Sequence, residues 1–195
     1  MTPTFLNEAT SQTWTVEAPK AASNVQVASV KLEGKTPLVQ LLPKGKLGVI
    51  STPWAPSAYR GTGAEERVSA TYNIPDELRE ELELCEEKIR DGLRKHVPKI
   101  DSLWHSSTKP SERNGSSLRT KITIAGEDAC PCFNMEGERV PLPTQWVGLS
   151  IIPIVMVRGA YVQRTIAGVM LETVALLVGD VKPVKRRELE DVSFR

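Results

Sequence analysis

The chain has 195 residues, of which 40% are hydrophobic and 25% are charged, and its formal net charge is +1. These values are typical of one globular domain with a buried core. The near-zero charge excludes a protein that is basic throughout, so a polyanion would have to be bound by local clusters of lysine and arginine. Three cysteines are too few for a disulfide framework and predict a reducing, intracellular compartment, either nucleus or cytoplasm.

The sequence predicts no association with a membrane. Its most apolar region, residues 147–178, is interrupted by Pro153, Arg158 and Glu172. No window of about 18 apolar residues is left, as a membrane-spanning helix would need. Residues 1–17 lack the charged and then apolar order of a secretory signal. We therefore expect a soluble protein.

Three parts of the chain differ in composition. Residues 1–23 are rich in Thr, Ser and Ala without a sustained period, and they predict a flexible N-terminal arm. Residues 24–180 carry the periodic segments of a single domain. Residues 181–195 form a charged C-terminal tail, in which a basic cluster at 182–187 precedes acidic residues. That cluster is compatible with a nuclear-import signal, a phosphate contact or a solvated tail.

The first segments of the domain are predicted to be extended. Residues 25–32 alternate between apolar and polar, with a slip near Ala28 that indicates a bulge. Further strands are predicted at residues 38–42, 47–50 and 68–74. A short turn separates the first two of these, and a loop rich in proline and glycine precedes the third.

A helix is predicted from about residue 75 to residue 97. Its apolar residues recur every three or four positions and form one stripe, made of Ile74, Leu78, Leu82, Cys85, Ile89, Leu93 and Val97. Pro75 suits a first helical position, and Pro98 ends the run. Acidic residues at the start and basic residues at the end complement the helix dipole. We expect this single amphipathic helix to pack on a sheet.

The second half of the domain is again predicted to be β structure. A polar loop at 106–117 precedes a strand at 118–125 and a hairpin at 132–140. Gly159 and Gly168 divide the last apolar region into three predicted strands, at residues 149–157, 160–165 and 169–178. Many short strands with one helix predict a mainly β fold, a small barrel, rather than alternating βαβ units.

No catalytic, cofactor or metal site is predicted. The two histidines lie apart, and neither a nucleophile elbow nor a phosphate-binding glycine loop is present. Cys130 and Cys132 offer two of the roughly four ligands that a zinc site needs. We interpret them as ordinary cysteines, with metal binding as the alternative. The sequence thus predicts binding without catalysis, although an enzyme with an unfamiliar site remains a rival.

The clearest binding signal is a basic strand. Strict alternation in residues 118–124 places Leu118, Ile122 and Ile124 on one face, and Arg119 and Lys121 on the other. A strand with its apolar face inward would then present two cations to solvent. The alternative interpretation is a solvated face that protects a sheet edge.

Cations and aromatic rings elsewhere in the chain extend this signal. We select three further groups as candidate nucleic-acid-binding residues: Trp104, Lys109 and Arg113; Arg158, Tyr161 and Arg164; and Trp54, Tyr59 and Arg60. Lysine and arginine bind backbone phosphates, and exposed rings stack on bases. Two of the rings have a structural alternative, because Tyr161 could belong to the core and Trp104 could close one end of a barrel.

The order of features from residue 68 onward resembles a known family. The shared layout is a strand and a helix, then a basic loop at 104–113, the basic strand, a turn at Glu136-Gly137, and the strands at 152–162 and 168–174. It is similar to the oligonucleotide-binding (OB) fold single-stranded DNA-binding proteins of large nucleocytoplasmic DNA viruses and their relatives. The resemblance implies an OB-like barrel whose ligand face is formed by Trp104, Lys109, Arg119, Lys121, Arg158 and Tyr161.

Together, these patterns predict a viral, non-enzymatic protein that binds single-stranded DNA, or alternatively RNA. We expect it to protect strands during DNA replication or recombination, in the nucleus or cytoplasm of an infected cell, and to form a homo-oligomer or a cooperative assembly on the strand. The alternative is a structural or assembly subunit, such as a viral coat or tail protein, whose terminal arms become ordered on contact with neighbours.

Overall fold

The computed structural model describes residues 3–41, 50–57, 66–111, 115–134 and 136–179. Within these ranges the chain forms three helices and thirteen strands, so the fold is mainly β. The helices are α1 (Leu6–Ala9), α2 (Asp76–Arg94) and α3 (Ile100–Leu103). The strands are β1 (Thr4–Phe5), β2 (Trp14–Val16), β3 (Lys20–Ala22), β4 (Val25–Ala28), β5 (Val30–Leu32), β6 (Leu38–Gln40), β7 (Arg67–Ile74), β8 (Thr108–Ser111), β9 (Gly115–Thr123), β10 (Cys132–Phe133), β11 (Arg139–Val140), β12 (Ile151–Val162) and β13 (Ala167–Val178).

Helix α2 confirms the predicted amphipathic helix but ends earlier. Its apolar stripe, including Leu78, Leu82 and Leu93, is buried. The helix stops at Arg94, and the N–H groups of His96 and Val97 both donate to the carbonyl of Leu93 at 2.8 Å. The residue before a proline is disfavoured in helical conformation, so Pro98 stops the helix before Val97. Two short helices, α1 and α3, were not predicted. No helix in the described parts of the chain is both long and apolar enough to cross a membrane.

The last apolar region forms two long strands, not the three that were predicted. Strand β12 runs through Gly159, where the pairing with β13 shifts register and φ is +148°. The glycine is needed because a Cβ there would lie 2.6 Å from the carbonyl oxygen of Ala28. Gly168 lies inside β13, and a Cβ there would lie 2.8 Å from the carbonyl oxygen of His105. Both glycines therefore permit close approach of another segment and do not end a strand.

Strands β12 and β13 form the antiparallel centre of the main sheet. On one side, β12 pairs with β4 and β6; on the other, β13 pairs in parallel with β9 and β10. Strand β9 continues to β7 and β8, both antiparallel.

The predicted closed barrel is not seen in the strand pairing of the described residues. Between β7 and β12 the connection consists of isolated bridges from Ser51 to Asn73 and to Ser150. Single bridges do not supply the continuous ladder that a closed barrel requires.

The segment 3–23, predicted to be a flexible arm, is instead packed into the fold. Leu6 is only 1% exposed, and the indole N–H of Trp14 donates to the carbonyl of Ala9 at 2.9 Å. Strand β1 pairs with β6, and β2 pairs with β5 and lies against α2. The buried apolar residues of this segment, such as Leu6 and Ala9, are too few to produce a period. The sequence pattern therefore did not reveal that the segment is packed. The predicted tail, 181–195, lies outside the described residues.

Candidate nucleic-acid interface

A cation-lined groove of about 820 Å³ lies over β7, β9, β12 and β13 and beside the segment that precedes β8. Its lining is Arg67, Ser69, His105, Ser106, Ser107, Lys109, Arg119, Thr120, Lys121, Arg158, Tyr161, Gln163, Val169, Met170 and Leu171. Five of the predicted site residues meet here, namely Lys109, Arg119, Lys121, Arg158 and Tyr161. They come from three separate parts of the chain, so the fold has brought them together.

The basic strand forms the floor of this groove. In β9, Leu118 and Ile122 are fully buried, whereas Arg119 and Lys121 are exposed. Strand β7 pairs beside it and places Ser69 opposite Lys121. The Ser69 hydroxyl oxygen accepts hydrogen bonds of 3.2 Å from both Arg119 and Lys121. One neutral side chain thus holds two cations next to each other on the open face of the sheet.

Beneath the floor, a buried chain of hydroxyl groups joins three strands. The Thr173 hydroxyl lies 2.8 Å from the Thr120 hydroxyl and 2.8 Å from the Tyr72 phenol oxygen. Burial raises the pKa of Tyr72, although its hydrogen bonds to the two threonines act in the opposite direction. The phenol therefore stays neutral, and either it or the Thr173 hydroxyl donates the hydrogen bond between them. Thr120 also lines the groove, so the chain fixes the floor to the core.

A second cluster of charges surrounds Glu172, on β13. This carboxylate is 9% exposed and pairs with Arg158, on β12, and with Arg67, at 3.4 Å. Lys121 is its register partner across the parallel β9–β13 pair, so the two side chains lie on the same face. Arg67 was not among the predicted site residues.

The segment before β8 is anchored by a buried carboxylate of α2. The Glu86 side chain accepts a 2.9 Å hydrogen bond from the backbone N–H of Ser107 and a second bond from its hydroxyl. Thr108 donates to Glu83 at 3.3 Å. Burial raises the pKa of Glu86, and these hydrogen bonds partly oppose the rise. These contacts hold the chain immediately before Lys109, so α2 positions one wall of the groove.

Part of the predicted polar loop forms a strand. Residues 108–111 are β8, which pairs with β9, so Lys109 lies on a sheet opposite Ser117. The abundance of Ser, Asn and Gly in this segment suggested a loop. A strand forms because residues 108–111 pair with β9, which follows a few residues later in the chain. Arg113 lies outside the described residues, as do Tyr59 and Arg60.

The aromatic candidates differ in their positions. Tyr161 is partly buried and lines the groove, and burial raises the pKa of its phenol. Trp104 is also partly buried, but it packs against the core, where its side chain opposes the rise in the pKa of Glu86. It does not line the groove. Trp54 is 54% exposed.

Two smaller clefts continue the groove at its ends. One, of about 320 Å³, includes Trp54 and shares Ser69, Ser107, Lys109 and Arg119 with the groove. The other, of about 460 Å³, includes Arg164 and the β3–β4 turn, and shares Gln163. A continuous track is therefore lined by seven of the described candidates, namely Trp54, Lys109, Arg119, Lys121, Arg158, Tyr161 and Arg164.

Several lining residues were missed by the sequence analysis. Arg67 and Ser69 alternate with buried residues of β7, which a strand pattern could have indicated. His105 follows Trp104, and its Nδ1 lies 2.9 Å from the carbonyl oxygen of Leu103. Met170 has neither a charge nor an aromatic ring, so nothing in the sequence indicated that it lines the groove.

Cys130 and Cys132 are the two cysteines whose alternative interpretation was zinc binding. Within the described ranges, no group of three or more His, Cys, Asp or Glu side chains could hold a metal ion. Cys130 and Cys132 are buried, and burial raises the pKa of Cys130 to about 12. These thiols are thus poor sources of thiolate, the form that binds metals.

The fold can be compared with those of solved proteins. The chain is similar in structure to gp2.5, a single-stranded DNA binding protein encoded by bacteriophage T7, with a TM-score of 0.53 and 11% sequence identity. The two share a fold. The similarity covers 82% of this chain and 96% of that one. No family model matches the sequence, and no curated protein matches it.

Weaker similarities involve another phage protein, the single-stranded DNA-binding protein of bacteriophage Enc34. Its C-terminal truncation has a TM-score of 0.46 at 14% identity, covering 87% of this chain and 98% of that one. Its complex with single-stranded DNA has a TM-score of 0.44 at 12% identity, covering 86% and 98%. These structures come from bacteriophages, so the resemblance to proteins of large nucleocytoplasmic DNA viruses stays a prediction.

Proposed function

We propose that this chain is a viral, non-catalytic protein that binds single-stranded DNA in the groove above β7 and β9. The observation that carries the proposal is the convergence of Arg67, Lys109, Arg119, Lys121 and Arg158 around one groove that also contains the ring of Tyr161. The fold shared with the T7 protein, whose ligand is single-stranded DNA, supports the same conclusion.

The groove combines the two contacts that a single strand requires. The cations on its floor and walls bind phosphates. Tyr161, together with Met170 on β13, offers an apolar surface against which unpaired bases pack. In a duplex, the bases are stacked on each other and are not available for such contacts. Binding should therefore favour single strands and show little preference for sequence.

The continuous track supports a path for the strand across the sheet. We infer that it passes from Trp54, over Lys109 and Arg119, through the groove to Arg164. Trp54 provides a second ring for stacking at one end. The chain's net charge of +1 is consistent with this arrangement, because binding depends on a local cluster and not on the field of the whole protein.

The proposed function extends to the biological role of the protein. We propose that the protein protects single strands in replication or recombination within an infected cell, in a reducing compartment, and that copies of it assemble cooperatively on the strand. We also propose that the sheet is an open variant of the OB barrel, in which the isolated bridges of Ser51 link β7 to the residue before β12. The rival role of an assembly subunit relied on two ordering arms, and the N-terminal one is already packed.

Fluorescence anisotropy of labelled oligonucleotides tests the function. We expect salt-sensitive binding of an oligo-dT strand and weaker binding of the matching duplex. In the double variant Arg119→Gln/Lys121→Gln, the slope of log K against log salt should fall by about 1.4, because each phosphate contact to a single strand contributes about 0.7. At about 50 mM salt this corresponds to a loss of roughly fiftyfold or more.

A charge-matched control separates the groove from general electrostatics. The double variant Lys35→Gln/Arg139→Gln removes two exposed cations that line none of the three clefts. It should retain most of the affinity and nearly the whole salt slope. Equal losses in the two double variants, or no binding of single strands by the unmodified chain at low salt, would overturn the proposal. An RNA oligonucleotide of the same length tests the alternative ligand.

A further inference from the structure

An acidic residue holds two of the arginines that line the groove, where a polyanion is expected to bind. Glu172 is 9% exposed and pairs with Arg158 and Arg67, whose side chains are 50% and 56% exposed. The carboxylate is thus fixed in the sheet, while the two arginines reach into solvent. A phosphate that entered the groove would approach the same two guanidinium groups from the open side.

The geometry points to Glu172 as an internal competitor for the strand, and this inference rests on the proposed function. We propose that its carboxylate holds Arg67 and Arg158 in the empty groove, and that phosphates must draw these arginines away from it. Lys121 is the register partner of Glu172, so its side chain lies on the same face of the sheet. Glu172 therefore lowers affinity and speeds release, so that a bound strand can be given up.

Charge arithmetic supports this role. Five cations line the groove, and the carboxylate of Glu172 neutralises one unit of their charge at the point where Arg67 and Arg158 meet. A polyanion that binds there either leaves the carboxylate beside phosphates of like charge or keeps one arginine away from them. Either outcome costs binding free energy that a neutral residue of the same shape would not cost.

The variant Glu172→Gln tests the inference, because glutamine keeps the size of the side chain and removes its charge. We expect tighter binding of oligo-dT, a slower dissociation rate, and a salt slope that is steeper by about 0.7, equivalent to one additional phosphate contact. At about 50 mM salt the gain in affinity would be roughly eightfold. Glu136→Gln, on the exposed β10–β11 turn, is the matched control and should change binding little.

A double-mutant cycle provides a second measurement. If Glu172 occupies Arg158 in the empty groove, Arg158→Gln should reduce affinity less in the unmodified chain than in the Glu172→Gln background. A further comparison does not depend on the folding of Glu172 variants. Arg158→Gln should cost less affinity than Lys109→Gln, because no ion pair of Lys109 occurs among the described side chains.

The outcomes separate this inference from the proposed function. Binding by the unmodified chain, with equal or weaker binding by a folded Glu172→Gln variant, would overturn the competitor role and leave the function intact. Equal costs of Arg158→Gln and Lys109→Gln would also contradict it. If the unmodified chain does not bind single strands, both proposals fail.

Discussion

The buried carboxylate of Glu86 accepts hydrogen bonds from both the backbone N–H and the hydroxyl of Ser107. This contact joins the long helix α2 to the segment that carries Lys109 into the groove. The helix thereby has two roles: its apolar stripe covers the sheet, and one carboxylate on its buried side positions a wall of the candidate site.

The pH dependence of stability should report on Glu86. Burial raises the pKa of this carboxyl above its ordinary value of 4.5, so the folded state holds the proton more tightly than the unfolded state does. Its contribution to stability is therefore complete below pH 4.5 and is lost as pH rises through the folded-state pKa. Glu86→Gln cannot ionise and should lack this loss. Urea unfolding between pH 4 and pH 8 measures the difference between the two proteins.

The control for this experiment is Glu80→Gln, which changes an exposed acid on the same helix. The prediction is wrong if Glu86→Gln and Glu80→Gln give parallel curves. Loss of the Ser107 contact would also be visible as faster hydrogen exchange of the Ser107 amide.

Substitution of Tyr161 separates stacking from the structural role of its ring. Tyr161→Phe keeps the flat surface and should bind oligo-dT nearly as well as the unmodified chain. Tyr161→Leu removes it and should lose about 1–3 kcal/mol of binding free energy. Anisotropy titrations measure both, with unfolding curves to verify that each variant is folded. Equal affinity of the leucine and phenylalanine variants would assign Tyr161 to the core alone.

The docking of the N-terminal segment can be tested where Val16 meets α2. A Cβ at Gly92 would lie 2.7 Å from Cγ2 of Val16 and 2.9 Å from its Cβ. Gly92→Ala should therefore destabilise the fold by about 1–3 kcal/mol, through overpacking. In a Val16→Gly background the clash is absent, and the same change should stabilise by up to about 1 kcal/mol, because alanine favours a helix. Chemical denaturation of the four proteins measures this reversal of sign. The same effect in both backgrounds would show that β2 does not pack on Gly92.

The sequence was most informative where a single period extended over many residues. The stripe of α2 and the alternation around Arg119 and Lys121 each depend on local geometry, so their positions in the structure follow from spacing alone. Trp104 was ambiguous in the sequence, since an aromatic residue beside a loop can serve either a ligand or the core. Its packing against the core depends on contacts between distant positions that spacing cannot reveal.

The rest of the groove depends on such distant contacts. Arg67 joins the site because β7 pairs with β9, and Glu172 joins it because β13 runs parallel to β9. Gly159 seemed to end a strand, since the sequence does not show that the Ala28 carbonyl lies against it. The burial of Leu6 could not be predicted for a similar reason, because one buried residue produces no period in the sequence.

The neighbouring residues Glu172 and Thr173 face opposite sides of the sheet. Thr173 completes the hydroxyl chain with Tyr72 and Thr120 in the core, while Glu172 meets the arginines of the groove. A slip of β13 by one residue would exchange these faces, burying an unpaired carboxylate and leaving the Tyr72 phenol without its partner. A sheet with this register error would therefore lose stability in two ways, both through the Glu172–Thr173 pair. The pair that contributes to the groove thus also disfavours a wrong register when β13 and β9 assemble.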